Sequence, residues 1–464
     1  MLRLTTPQSD FWDQLLPAEA RLMSPALQAV DAILDDERFL APFHTRFRSQ
    51  RGRPTIPMET YLRLLYLKKK YELGYESLVA EVTDSVSWRR FCRISLGGTV
   101  PNASTLIKLT NGPCQGVSEE IHDALVKELV ERKLLRARKL RVDTTVVEAN
   151  IHYPTDVDLL ADGVRVITRT IRQLGHVGVE AVGKFRDVTR SVGHRLVRLA
   201  KGLKRGEDQK QATRAEMTAE VLQITQKMVK RAEAVREQVA RVIAEQGKKV
   251  RPMVKRRLKQ LTTWLERTKR VIEQTQEVLG GNVHVKNRLV SLFDPDARPI
   301  KKGRLKVAGG TEFGYKVSVA DEERGFVTDY EVTTGNPEDS TLLMPAVKRH
   351  IDRVGKTPQR IAVDRGMASA KADTALKDLG VKYRCLPKTG KRTEAERAKE
   401  HSGWFRRLHA FRAGGEARIS LLKRKYGWRR SRVRGIDRVK SWVGWGVVAH
   451  NLDKYARMEA AKTR

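Results

Sequence analysis

From about residue 156 to about residue 280 the chain keeps a helical period, and strand-like segments stand on both sides of that stretch. Segments such as KMVKRAEAVREQVARVIAEQ interleave Ala, Val and Ile with Lys, Arg and Glu, and only Pro252 and a few glycines break the run. That pattern predicts two or three long helices packed as a hairpin or bundle. Any sheet the chain builds must therefore join strands from before and after a long helical insertion.

Before the insertion, KLRVDTTVVEAN alternates and is rich in β-branched residues, which predicts a strand ending near Thr145 or Val147. PTDVDLLADGVRVITRTIRQLG then opens a helix, with Thr155 as N-cap and Asp158 three residues later. After Gly280 and Gly281, FGYKVSVA and GFVTDYEVTTGN predict a β-hairpin. A helix follows with Asn336 as N-cap and Pro337 at its first position. QRIAVDRGMAS reads as a strand ending in Asp364, ADTALKDLG as a short helix, VKYRCLP as a strand, and RLHAFRAGGEARISLLKRKYGW as a helix carrying Glu416. Upstream of all this, residues 1 to about 115 read as helical, with Leu62, Leu65, Tyr66 and Tyr71 at helical spacing and breaks near Gly74 and at Gly97 and Gly98. Whether this bundle contains a helix-turn-helix stays open.

With the insertion left out, the order is β-β-β-α-β-α-β-α, which resembles the ribonuclease-H-like fold. In that fold the first and fourth strands each end in a carboxylate and a later helix supplies a third. The expectation is an α/β protein with a mixed sheet flanked by helices. It has a helical N-terminal domain over 1–115, a core from 136–155 and 285–464, and a helical insertion over 156–284.

Lysine and arginine outnumber aspartate and glutamate 91 to 55, a net charge of +36, which calls for a polyanionic partner. No run of about 18 apolar residues spans a membrane, and the N-terminus lacks the pattern of a signal peptide. Nucleic acid is then the expected partner, and the expected location is cytoplasmic and nucleoid-associated. Cys92, Cys114 and Cys385 are scattered without zinc spacing, and no H-E-x-x-H occurs.

Phosphodiester cleavage and joining need an activated oxygen nucleophile and a stabilised leaving oxygen, which two divalent metals can provide. Magnesium takes oxygen ligands and is held by few protein carboxylates. Asp143 and Asp364 sit in matching contexts, an apolar strand followed by small or polar residues, although a strand-end Asp more often caps a turn. Around a helix of roughly 100° per residue, Glu416 lies about 40°, Lys423 about 20° and His409 about 60° from Arg412, so an acid shares one stripe with cations. An ordinary solvated stripe with a weak Arg412–Glu416 pair is the rival reading. Ile419 on the same stripe argues against full exposure. Gly414 and Gly415, costing roughly 1 kcal/mol each in a helix interior, mark either a close backbone approach or a late helix start.

This segment resembles the YREK signature of bacterial insertion-sequence DDE transposases: Arg412, Glu416 and Lys423 match at the family's spacings, and His409 stands where the family has Tyr. RVDTTVVEAN around Asp143, VDRGMAS around Asp364, the closing VGWGVVAHNL and the N-terminal IPMETYLRLLYLKKKYELGYESLVAEV extend the resemblance. It implies that Asp143, Asp364 and Glu416 hold Mg²⁺ or Mn²⁺, two ions in all, and that Arg412 and Lys423 contact phosphates at the transposon end. It also implies an enzyme that binds terminal inverted repeats and target DNA as a homodimer or larger assembly. A ribonuclease-H-like nuclease without strand transfer, and a catalytically decayed DNA-binding protein, are the alternatives.

KRKYGWRRSRVRG, from Lys423 to Gly435, interleaves cations with aromatics and reads as a phosphate-tracking patch, in which Arg424, Lys425, Arg429 and Arg430 contact the backbone and Trp428 stacks a base or sugar; a solvated loop with an aromatic anchoring it to the core is the rival reading. Trp442 and Trp445 read as core, as do Trp404 and Phe405. Capping accounts for Asp158, and none of Glu148, Asp156, Asp158, Glu312 or Asp339 is read as a metal ligand.

Overall fold

A computed structural model describes residues 1–5, 17, 19, 22–47, 52–175, 182–183, 185–202, 207–246, 251–282, 284–301, 310–387, 390 and 392–462. It divides into two compact units, one of Met1–Asn150 with Gly314–Arg464 and one of Ile151–Phe313.

The strands are β1 (Lys139–Glu148), β2 (Arg298–Lys301), β3 (Thr311–Glu322), β4 (Val327–Val332), β5 (Arg360–Val363) and β6 (Tyr383–Cys385). In the larger unit they run in the order β4-β3-β1-β5-β6. β3 is antiparallel both to β4, which follows it by a short turn, and to β1, from which the insertion separates it in sequence, whereas β1, β5 and β6 are parallel. Parallel neighbours need crossovers, and the helices Asp339–Val354 and Ala370–Asp378 supply them. The fold is mixed α/β and ribonuclease-H-like, with a helical N-terminal region.

Strand alternation divides the work of the two sheet faces. Leu140, Val142, Ile361 and Val363 point into a core with Leu343 and Val347 of the first crossover helix. Ala362 and Cys385 point to the other face, where Phe405 and Leu408 of the helix Gly403–Lys425 cover them. The closing helix Ile436–Lys462 is buried nearly all round through Val443, Trp445, Val447 and Leu452, and the N-terminal helices Pro25–Leu34 and Met58–Lys70 pack on it.

The smaller unit holds four helices among the described residues, Asp156–Gly175, Thr189–Gly202, Glu207–Gln246 and Pro252–Leu279, rather than two or three. Leu160, Ile167, Val221, Val239, Leu261 and Val271 share one core. Thr155 caps the first helix by accepting from the Asp158 amide at 3.2 Å. The unit extends to Phe313, past the expected end at 284.

β1 runs to Glu148, close to the expected end near Thr145 or Val147, because β3 goes on pairing with it that far. One boundary differs from expectation in the larger unit. The first crossover helix is capped at Glu338, not Asn336. Asn336 and the Pro337 carbonyl are instead drawn to the Lys316 ammonium, at 3.2 and 2.6 Å.

Candidate active site

The parallel ladder between β1 and β5 pairs Leu140 with Ile361 and ends where Val142 meets Val363. Asp143 and Asp364 are the next residue on each chain. Both share the parity of Ala362, so alternation turns them toward the face covered by the helix Gly403–Lys425. That helix presents Phe411, Gly414 and Gly415 to β1. A β-carbon on Gly415 would lie 3.6 Å from Asp143 Oδ2, and one on Gly414 would lie 2.5 Å from Arg141 Nη1. The two glycines are therefore interior to the helix and mark its close approach to the strand.

Arg141 fastens this approach. Its Nε and Nη2 donate to Asp321 at 2.7 and 2.5 Å, and Nη1 donates to the Phe411 carbonyl at 2.7 Å. Arg418 reaches the same Asp321 carboxylate at 3.2 Å. Arg141 and Asp321 are both buried. Sequence reading singles out none of these three, although an Arg and an Asp inside otherwise apolar strands are a signal that could have found them.

The helix carries Glu416 to the mouth of this junction. Arg412 lies among the acids, with Nη1 3.4 Å from Asp364 Oδ1 and Nη2 3.6 Å from Glu416 Oε1. The Asp364 and Glu416 side chains are 54% and 73% exposed, so both remain open to a large substrate. Asp143 is deeper. Burial above all, helped by the negative charges of Asp364 and Glu416, pushes its carboxyl up to about 6, against the pull of the Thr144 amide and Arg412. Asp339 stands beside the site, accepting from the Thr144 hydroxyl at 3.1 Å and paired with Lys316 at 2.7 Å.

The donor set is all carboxylate oxygen, which suits a hard divalent cation. Among the described residues, however, no three of His, Cys, Asp and Glu are grouped closely enough to hold a metal. In this structure the guanidinium of Arg412 supplies the positive charge between two of the acids.

The chain also matches two family models: the transposase domain (DUF772) over residues 11–111 and the transposase DDE domain over residues 289–452. The chain belongs to the insertion-sequence DDE transposases. Such transposases act on DNA and generally use divalent metals. The DDE match contains Asp364 and Glu416, whereas Asp143 lies outside both matched stretches and is brought in by the β1–β5 register. Neither a curated protein nor a solved structure matches the chain. Among the described residues no helix of the transposase is long and apolar enough to cross a membrane.

The basic stretch of the transposase is anchored at the far end of β1. The Ser431 amide donates to the Glu148 carbonyl at 2.8 Å, and the Glu148 amide to the Arg429 carbonyl at 3.3 Å. His409, Arg424, Lys425, Arg429 and Arg430 are exposed, while Lys423 is half-buried. Arg430 Nε donates to the Ala149 carbonyl at 3.3 Å, and Arg424 Nε to the Ser420 carbonyl at 3.4 Å. Trp428 corrects the expectation of a stacking aromatic. It is fully buried, with its indole N–H donating to the Val443 carbonyl at 3.2 Å, so neither ring face is offered to a base. Trp445 is core as expected, and Trp442 is half-buried.

Proposed function

We propose that this transposase cleaves DNA at transposon ends and joins the freed 3′-OH to target DNA, with Asp143, Asp364 and Glu416 as its catalytic carboxylates. The observation that carries this reading is geometric: Asp143 and Asp364 follow the last pair of the β1–β5 ladder on the face that the helix of Glu416 covers, and Arg412 lies between Asp364 and Glu416 at 3.4 and 3.6 Å. Mg²⁺ or Mn²⁺, two ions in this reading, would supply nucleophile activation and leaving-oxygen stabilisation when bound by them.

The protein's own part is to position DNA. Arg412 pairs with Asp364 and Glu416, and it is the group best placed to turn to a scissile phosphate. Lys423, about three turns further along the same stripe, extends that contact. Arg412, Glu416 and Lys423 then serve as the last three members of a YREK signature, with His409 in the first place. Arg424, Lys425, Arg429 and Arg430 contact phosphates outside the cleavage point. Two ends must be brought together, so the working form is a dimer or larger assembly, in which the N-terminal helices serve DNA binding or dimerisation.

The test uses duplexes carrying the borders of the chain's own gene, with Mg²⁺. The wild-type chain nicks at the border and joins the 3′ end to a second duplex. Asp143→Asn, Asp364→Asn and Glu416→Gln each lose both reactions and still bind. Nicking without joining would leave a nuclease, and metal-dependent joining by any of the three variants would overturn the site.

A further inference from the structure

Side chains alternate along a strand, so Thr144 stands on the face of β1 opposite to Asp143. On that face β1 packs through Leu140 and Val142 against Leu343 and Val347 of the first crossover helix. Asp339 opens that helix. Its Oδ1 accepts from the Thr144 hydroxyl at 3.1 Å and pairs with the Lys316 ammonium at 2.7 Å.

An acid in the first turn of a helix is favoured by the helix dipole alone. Lys316 also pins this helix start without it, by donating to the Asn336 side chain and the Pro337 carbonyl. Neither role requires Asp339 to reach Thr144. That contact places its carboxylate one peptide away from Asp143, because the Thr144 amide donates to Asp143 Oδ1 at 2.7 Å. The hydroxyl and the amide of Thr144 thus tie one residue to acids on opposite faces of the sheet.

The second oxygen faces the other strand end. A β-carbon on Gly366 would lie 3.3 Å from Asp339 Oδ2, so the turn that follows Asp364 comes close to the carboxylate. That turn, Arg365–Met367, is closed by the Met367 amide donating to the Asp364 carbonyl at 3.0 Å. Met367 is buried in the same core as Leu343. One carboxylate therefore braces the ends of both β1 and β5 from behind.

We propose that Asp339 is a positioning residue for Asp143 and Asp364, acting through Thr144 and Gly366, with Lys316 holding its carboxylate in place. It rests on the reading of Asp143 and Asp364 as catalytic carboxylates. Misplacing a reacting group by about 1 Å costs on the order of 10²-fold in rate, and the Thr144 hydroxyl is the link through which Asp339 keeps Asp143 in register with Asp364.

The experiment measures the single-turnover nicking rate on saturating border duplex with Mg²⁺, the duplex affinity and the urea midpoint. The chains are the wild type, Thr144→Val, Thr144→Ser, Asp339→Ala and the double variant Thr144→Val/Asp339→Ala. Thr144→Val removes only the hydroxyl and leaves Asp339 paired with Lys316, so it decides the matter even where Asp339→Ala fails to fold. Its nicking rate is expected to fall roughly 10–100-fold, with affinity and midpoint close to wild type. Thr144→Ser keeps the hydroxyl and restores the rate, and the double variant nicks no more slowly than Asp339→Ala alone. Wild-type nicking by Thr144→Val, no rescue by Thr144→Ser, losses that multiply in the double variant, or a fall in rate that tracks lost affinity or stability would each overturn the positioning role alone. A wild-type chain that binds the duplex and does not nick it would overturn the catalytic reading and this role with it.

Discussion

Arg141 and Asp321 are directly paired residues of the β1–β3 ladder, and the guanidinium meets the carboxylate through two nitrogens, at 2.7 and 2.5 Å. Because Arg141 also holds the Phe411 carbonyl, this pair ties the helix of Glu416 to the strand of Asp143. Asp321→Ala leaves both Arg141 and Arg418 without their carboxylate. Removing one partner of a buried ion pair costs about 3–5 kcal/mol, and the urea midpoint should fall accordingly. A loss below about 1 kcal/mol would show that the pair is not a fastening, since that is the range of exposed pairs.

The two glycines of the same helix should respond to alanine with opposite sign. At Gly415 the new methyl would lie 3.4 Å from Arg141 Cδ and 3.6 Å from Asp143 Oδ2, an ordinary contact. Alanine is favoured over glycine in a helix by about 1 kcal/mol, so Gly415→Ala is expected to stabilise. At Gly414 the methyl would meet Arg141 Nη1 at 2.5 Å, and that nitrogen is held by the Phe411 carbonyl, so Gly414→Ala is expected to destabilise. Unfolding curves that move the same way for both would contradict the packing described.

Trp428 tests the difference between a core residue and a stacking platform. Trp428→Ala should cost about 3–5 kcal/mol, as for other buried aromatics, and Trp428→Phe should keep duplex affinity at temperatures where it is folded. A stably folded Trp428→Ala chain with weakened DNA binding would restore the stacking role.

Acid stability should reflect buried groups of opposite sense. Burial pushes His122 and His350 down to about 4 and His450 to about 3, and pushes the Glu322 carboxyl up to about 7. For the histidines the unfolded chain binds more protons between about 4 and 6.5, so their contribution is lost as pH falls through that window. Glu322 holds its proton in the folded state, so its contribution grows over the same fall, and Asp143 acts in the same sense. His350→Gln should therefore flatten the decline of the urea midpoint below about pH 6.5, and Glu322→Gln should steepen it. Parallel profiles for both variants would rule out this assignment.

The strand and helix order was legible because each element carries its own period: β-branched alternation in KLRVDTTVVEAN, and recurring apolar residues in the long insertion. The hairpin partners and the crossover helices follow from the same local signals. What misled was local as well. Trp428 lies within a run of cations, and neighbours in sequence cannot reveal that its ring turns inward to the Val443 carbonyl. Asn336 followed by Pro337 has the chemistry of a helix start, but Lys316, from another strand, claims both.

By itself the sequence determined the periodic elements, the excess of positive charge and the stripe that Glu416 shares with Arg412 and Lys423, because these depend only on residue type and spacing. Tertiary structure alone decided that Asp143 and Asp364 follow the last pair of a parallel ladder. It also decided that Arg141 and Asp321 fasten a helix across that ladder. Register, close approach and the burial of a charge arise between segments far apart in the chain, and no local pattern records them.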